Sequence, residues 1–230
     1  MHSYYSHKLA AERLNLCYEM APLRIKRYLE AEIEFVLDKI KSSDLVLELG
    51  CGYGRVLEKI IEKSKTVIGI DTSHGSLLLM QDPILKNTSC HIFEMNAVHL
   101  GFKNDRFDVV ACIQNGISAF KVDQKQLIEE AMRVTRPGGT VLFSSYSESF
   151  WEERLKWFRL QSEQKLIGEI DEEATGDGVI VCKDGFKATT MSPKNFISIA
   201  SSFDIDTVIT EVDGSSVFFE LKAKESISTR

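Results

Sequence analysis

The short apolar run Leu45-Val46-Leu47-Glu48-Leu49 leads directly into Gly50-Cys51-Gly52-Tyr53-Gly54. Alternate glycines behind a buried strand let the backbone turn sharply and approach a ligand that any Cβ would displace. Val56, Leu57, Ile60 and Ile61 then recur at helical spacing. A strand, a glycine turn and a helix form the opening unit of a doubly wound α/β sheet. The rest of the chain keeps that rhythm. Thr66–Ile70, Cys90–Glu94, Phe107–Ile113 and Thr140–Ser145 read as strands, separated by helices over Gly75–Leu85 and around Leu127, Ile128, Ala131 and Val134.

On either side the pattern differs. In residues 1–43, Ile25, Leu29, Ile33, Val36, Leu37 and Ile40 fall on one helical stripe, which reads as a helical lid. Arg24, Lys26 and Arg27 lie beside that stripe, read as a solvated face or as a means of recognising an anionic group. Residues 44–146 form the core and 147–200 an insertion. The insertion comprises a helix over Glu148–Lys165, a small meander across Ile167–Met191 with turns at Gly176-Asp177-Gly178 and Asp184-Gly185, and a helix opened by Ser192-Pro193. Residues 201–230 close the chain with a hairpin turning at Asp213-Gly214. The expected fold is a single domain with a Rossmann-like seven-stranded sheet, mostly parallel, with its last strand reversed.

Composition narrows the function. With 43% hydrophobic and 27% charged residues the chain is neither disordered nor membrane-spanning. Its net charge of −6 disfavours nucleic acid, whose phosphates call for a basic footprint. The N-terminal residues lack the apolar core of a signal peptide. The five cysteines, Cys17, Cys51, Cys90, Cys112 and Cys182, form no CxxC pair and no metal set, so reduced thiols, a cytoplasmic location and no metal are expected.

The glycine spacing is GxGxG, with Glu48 two residues before the first glycine. A carboxylate there is a poor neighbour for the pyrophosphate of a dinucleotide but suits a cationic ligand. Asp71 follows Gly50 by 21 residues, just past the second strand, where a carboxylate can accept both hydroxyls of a ribose.

On these residues the chain resembles the class I S-adenosylmethionine-dependent methyltransferases, closely over about residues 43–146. The resemblance implies S-adenosylmethionine as cofactor and S-adenosylhomocysteine as product. It implies that Glu48, Gly50, Cys51, Gly52 and Gly54 form the cofactor loop, that Asp71 binds the ribose, and that Thr72 lies near the adenosine. Asn96-Ala97 stands where the family usually carries an acid and a small residue against the adenine. Asn still meets an adenine amino group through its carbonyl. Ile113 and Gln114 arrive at the sheet's carboxyl edge, where the methyl is transferred. The Arg133–Gly139 turn matches the family's loop before the fifth strand and is positional.

Methyl transfer needs the acceptor held in line with the methyl and water excluded, so the substrate side leaves a weaker imprint on sequence. An enclosed lid suits a small metabolite, methylated on O, N or S, better than a polymer. Tyr5, Tyr18, Asn115, Tyr146, Trp151 and Arg154 are the candidate acceptor residues. Arg154 is read either as a bidentate partner for a substrate carboxylate or as a surface ion pair with Glu148 or Glu152. His7 and His99 are the histidines placed nearest the site as candidate bases. Other readings are a non-catalytic cofactor-binding partner, a protein methylator and a nicotinamide-dependent oxidoreductase. The glycine spacing opposes the last. The chain is expected as a monomer or homodimer with no nucleic-acid or membrane partner.

Overall fold

The computed structural model describes residues 11–80, 86, 88–203 and 205–223. Seven strands form one sheet in the order β3-β2-β1-β4-β5-β9-β8. They are β1 (Leu45–Leu49), β2 (Thr66–Asp71), β3 (Cys90–Glu94), β4 (Phe107–Cys112), β5 (Thr135–Tyr146), β8 (Asp206–Val212) and β9 (Ser216–Lys222). The first five pair in parallel, whereas β9 runs antiparallel to both β5 and β8. The last strand is therefore reversed, as the sequence resemblance implies, and it lies between β5 and the edge strand β8.

Helices cover both faces because the central strands are apolar on both sides. On one face, α6 (Gln124–Val134) and α8 (Pro193–Ala200) pack Leu127, Ile128, Ala131 and Phe196 against Val110, Phe143 and Phe219. Each starts with a side-chain cap: Asp123 accepts from the Gln126 N–H at 2.9 Å and Ser192 from the Asn195 N–H at 3.2 Å. On the other face, α3 (Leu57–Ile61) and the second half of α2 (Leu23–Lys39) bury Ile60, Ile33 and Val36 over Val46, Val67 and Val109. The remaining short helices are α4 (His74–Leu78) and α5 (Gly116–Ala119).

A third apolar cluster sits above the carboxyl edge of the sheet. It joins α1 (Glu12–Glu19), the first half of α2, α7 (Trp151–Glu163) and the insertion through Cys17, Ile25, Tyr28, Tyr146, Trp157, Phe158 and Phe186. The N-terminal region is thus only half a lid, because α2 continues down onto the sheet face. Pro22 separates its two helices. Lys26 and Arg27 are solvent-exposed as expected, while Arg24 is half-buried. Arg24 donates to the Asp213 carboxylate at 2.6 Å and to its carbonyl at 2.8 Å, anchoring α2 to the β8–β9 turn.

Two further boundaries differ from the sequence reading. The segment Pro137-Gly138-Gly139 does not break the chain before the fifth strand, which already pairs at Thr135 with Phe107 and resumes at Thr140 after a register shift. Gly139 passes so close to Asp108 and Arg136 that an added Cβ would lie 2.9 Å from either carbonyl oxygen, which explains the glycine. The long helix expected over 148–165 begins with a 3₁₀ turn at Glu148–Phe150, and the meander reduces to β6 (Ile180–Val181) and β7 (Lys187–Ala188) with bridges Ile170–Cys182 and Gly176–Val179. Residues 81–85 of the predicted second helix lie outside the described residues.

Candidate cofactor and acceptor site

The glycine segment folds as its spacing requires. Gly50, Gly52 and Gly54 all have positive φ, at 79°, 56° and 91°. The Gly50 and Cys51 N–H groups both donate to the Ile70 carbonyl, at 2.8 and 2.9 Å, fastening the turn to the end of β2. Beside it opens a cleft lined by Leu14, Tyr18, Glu48, Gly50, Cys51, Gly52, Tyr53, Arg55, Val56 and Gln114.

The residues present fit the expected cofactor. Glu48 is 3% exposed, and its Oε2 has no hydrogen-bond partner among the described residues. A buried, unpaired acceptor is costly unless a donor arrives, and the ammonium of an amino-acid moiety supplies one. Burial pushes the Glu48 carboxyl up to about 8, against the attraction of Arg55, while Asp71 adds to the rise. A Cβ built at Gly52 meets nothing within 4 Å, so this glycine faces open space. Asp71 accepts from Gly52 N–H at 2.9 Å and from Ser73 N–H at 2.7 Å. These bonds fix the carboxylate at the end of β2, beside the glycine turn.

Of the predicted cofactor residues, the structure brings Glu48, Gly50, Cys51, Gly52 and Gln114 into the cleft, with Gly54 in the same loop. The Cys51 thiol points away, under Gly69, where an added Cβ would lie 2.9 Å from its sulfur. Thr72 is exposed just past β2. Asn96 is exposed, with its Oδ1 accepting from Val98 N–H at 3.1 Å, while Ala97 turns into the core. Ile113 is buried at the end of β4.

Of the acceptor candidates, Tyr18 enters the cleft from α1. Tyr146, Trp151 and Arg154 lie together in the upper cluster, and Tyr5 and His7 are outside the described residues. Asn115 is buried and employed in the framework. Its Oδ1 accepts from the Ser145 hydroxyl at 2.8 Å and its Nδ2 donates to the Thr189 carbonyl at 2.9 Å. His99 is exposed, beside Glu130 on a different part of the surface. Arg154 requires a correction: it makes no surface pair with Glu148 or Glu152. It is 1% exposed, donates to the Gly178 carbonyl at 2.8 Å, and lies over the rings of Tyr146, Phe158 and Trp151.

Three contributors escaped the sequence reading. Arg55 lies over the Tyr18 ring at 4.6 Å and donates to Gln114 Oε1, closing the cleft between α1 and β4. Tyr53 faces Tyr18 with ring centroids 6.3 Å apart. Glu32, on α2, is fully buried beneath Gln114. Its Oε2 accepts from the Gln114 N–H at 2.6 Å and the Ser144 hydroxyl at 2.8 Å, and its Oε1 from the Ser216 hydroxyl at 2.6 Å. Gln114 and Asn115 are consecutive non-glycine residues with φ of 56° and 64°, a conformation that costs energy and needs such support. Burial still prevails over those three bonds and holds the Glu32 carboxyl up at about 7.

Glu32→Ala is therefore expected to destabilise the protein by about 2–4 kcal/mol, since it removes the acceptor of two buried hydroxyls, Ser144 and Ser216, and one of the two acceptors of the Gln114 N–H. Glu32→Gln keeps most of the bonds and is expected to cost less than half as much. Urea titration of both variants checks this, and equal losses would show that the carboxylate bonds do not support the turn.

Comparisons with known proteins agree with this geometry. Residues 46–139 match the family model of a methyltransferase domain. The chain is 30% identical over 106 residues to a ubiquinone biosynthesis O-methyltransferase of Pseudomonas fluorescens, covering 45% of each protein. It is 26% identical over 169 residues to a tRNA N(3)-methylcytidine methyltransferase of Schizosaccharomyces pombe, covering 68% of this chain and 53% of that one. The matches thus span about half the length of these curated relatives. A SAM-dependent methyltransferase structure from Methanosarcina mazei superposes with a TM-score of 0.60 at 19% identity, covering 83% of this chain and 98% of the other. The chain has the class I S-adenosylmethionine-dependent methyltransferase fold. Residues 46–139, which match the methyltransferase-domain model, hold the glycine loop, and S-adenosylmethionine is the cofactor of that class.

Proposed function

We propose that this chain transfers a methyl group from S-adenosylmethionine to an O, N or S atom of a small metabolite. The observation that carries the reading is the buried, unpartnered Glu48 carboxylate oxygen in a cleft where Gly52 presents open space. Bound there, the cofactor supplies an electrophilic methyl on a sulfonium, whose sulfur keeps the electron pair when the acceptor's lone pair takes the methyl. Glu48 holds the ammonium, Asp71 the ribose, and Thr72 and Asn96-Ala97 the adenosine end. Ile113 and Gln114 border the reacting edge. Tyr18, Tyr146, Trp151 and Arg154 border the acceptor side, positioning the acceptor and excluding water. Glu32 is spent on three donors, so its part is to hold Gln114 in place.

A small acceptor is favoured by the way α1, α7 and the insertion join in one apolar cluster above the edge, and by the net charge of −6. A cytoplasmic location fits five unpaired cysteines, four of them buried. Among the described residues no helix is long and apolar enough to cross a membrane. The protein acts as a monomer or homodimer in this reading.

Isothermal titration with S-adenosylmethionine, S-adenosylhomocysteine and NAD tests the proposal, followed by mass spectrometry of metabolite extracts for methylated products. The two sulfur ligands are expected to bind and NAD to give no heat. Asp71→Ala is expected to weaken binding by about 1–3 kcal/mol through lost hydrogen bonds to a charged acceptor. Binding of NAD alone overturns the reading. Tight cofactor binding with no product from any extract, or with methyl found only on RNA or protein, overturns its substrate half.

A further inference from the structure

The cleft beside the glycine turn holds two buried polar atoms of opposite kind that have no hydrogen-bond partner among the described residues. Glu48 Oε2 is an acceptor and Gln114 Nε2 a donor, and both residues line the same cleft. The Gln114 amide is fixed in orientation. Arg55 donates to its Oε1, and a guanidinium offers donors only, so the oxygen takes that side and the NH₂ group is left over. Behind it, the Gln114 backbone N–H is pinned by Glu32 Oε2 at 2.6 Å and by the Ser144 hydroxyl at 2.8 Å.

Arg55 completes the set. It follows Gly54 directly, so it belongs to the same turn as Glu48, and its guanidinium lies over the Tyr18 ring at 4.6 Å. The ring shields one face of the cation from water and holds its plane. Among the described residues Arg55 forms no salt bridge, its partners being the Gln114 amide and that ring. Burial raises the Glu48 carboxyl and the Arg55 charge pulls against it, so the two lie within electrostatic reach without meeting as an ion pair.

We propose that Arg55 and the Gln114 amide receive the α-carboxylate of the cofactor's amino-acid end, while Glu48 receives its ammonium. This deepens the methyl-transfer reading and rests on it. An α-amino acid carries both charges on one carbon, so a single ligand brings a donor to the orphaned acceptor and an acceptor to the orphaned donor. A guanidinium fork matches a carboxylate, and the amide adds a neutral donor beside it. Arg55 is thus a positioning residue: gripping the carboxylate sets how far the sulfonium extends toward the reacting edge.

The test is calorimetric titration of the full chain with S-adenosylhomocysteine and with its decarboxylated analogue, which keeps the ammonium and the adenosine. The native protein is expected to bind S-adenosylhomocysteine at least about tenfold more tightly than the analogue. Arg55→Gln is expected to lose about tenfold for S-adenosylhomocysteine and to bind the analogue within about twofold of the native protein, so the discrimination collapses. Arg55→Lys keeps the charge without the planar fork and is expected to discriminate by only about threefold. It carries the test should Arg55→Gln fail to fold. Equal losses for both ligands in the variants overturn the proposal, because a mere brace between Tyr18 and Gln114 weakens both alike, and they leave the cofactor reading standing. Equal affinity of the native protein for the two ligands overturns it as well. A native protein that binds neither ligand sinks the methyl-transfer reading and the carboxylate site with it.

Discussion

Gly52→Val is expected to abolish S-adenosylhomocysteine binding, by at least about 100-fold, while leaving a folded protein. The reasoning separates two costs. A Cβ at Gly52 meets no atom within 4 Å, so the added side chain enters the cleft and not the protein. The backbone cost is confined to a φ of 56°, which a side chain adopts at roughly 1–2 kcal/mol. Gly50 offers no such clean probe, because a Cβ there would lie 2.5 Å from the Phe120 ring and disturb the packing. Calorimetry against S-adenosylhomocysteine gives the first quantity and urea denaturation the second. A variant that binds the ligand normally would show that the cofactor does not pass over Gly52.

The glycine loop and the alternation of strands and helices were legible in the sequence because their signals are local. A turn needing positive φ has to write its glycines where they are used, and a central parallel strand has to be apolar on both faces. The acceptor side is assembled from distant segments, so its residues lack that imprint. Glu32 is the instructive case. It falls within the apolar stripe between Leu29 and Val36 of α2, and a charge on that stripe signals a buried carboxylate with partners elsewhere. Its partners, Gln114, Ser144 and Ser216, lie 82 to 184 residues away in the chain, and no sequence spacing announces them.

Arg154 misled for a related reason. The helix α7 carries aromatic residues on several sides, so neither face reads plainly as outward. Yet its buried residues Arg154, Leu155, Trp157, Phe158 and Gln161 follow one helical stripe, and Arg154 belongs to it. The Pro137-Gly138-Gly139 segment misled in the opposite sense. Its residues do form a sharp local feature, but the flanking strand absorbs it as an irregularity because Ala223 and Gly138–Gly139 exchange backbone hydrogen bonds at 2.9 and 3.2 Å.

Glu48→Gln is expected to remove a pH dependence that the native protein shows in cofactor binding. Because the free carboxyl is raised to about 8, it is mostly protonated at neutral pH. An incoming ammonium favours the carboxylate, so binding expels the proton and the affinity for S-adenosylhomocysteine rises with pH. For a single such group the rise from about pH 6 to about pH 8 amounts to roughly 50-fold. Calorimetry at pH 7 in buffers of different ionisation enthalpy should then record the release of nearly one proton per ligand. In the free protein the sign is opposite. A carboxyl whose folded value lies above its unfolded 4.5 contributes stability that is full below pH 4.5 and is lost as pH rises through about 8. Glu48→Gln therefore flattens both curves, leaving a free protein that is more stable than the native one at pH 8 and a cofactor affinity that is low throughout. Glu32 also titrates upward, at about 7, but does so in both proteins, so the difference between their profiles isolates Glu48. A binding profile that keeps its slope in Glu48→Gln would show that the ammonium is held elsewhere and that the buried carboxylate belongs to the fold alone.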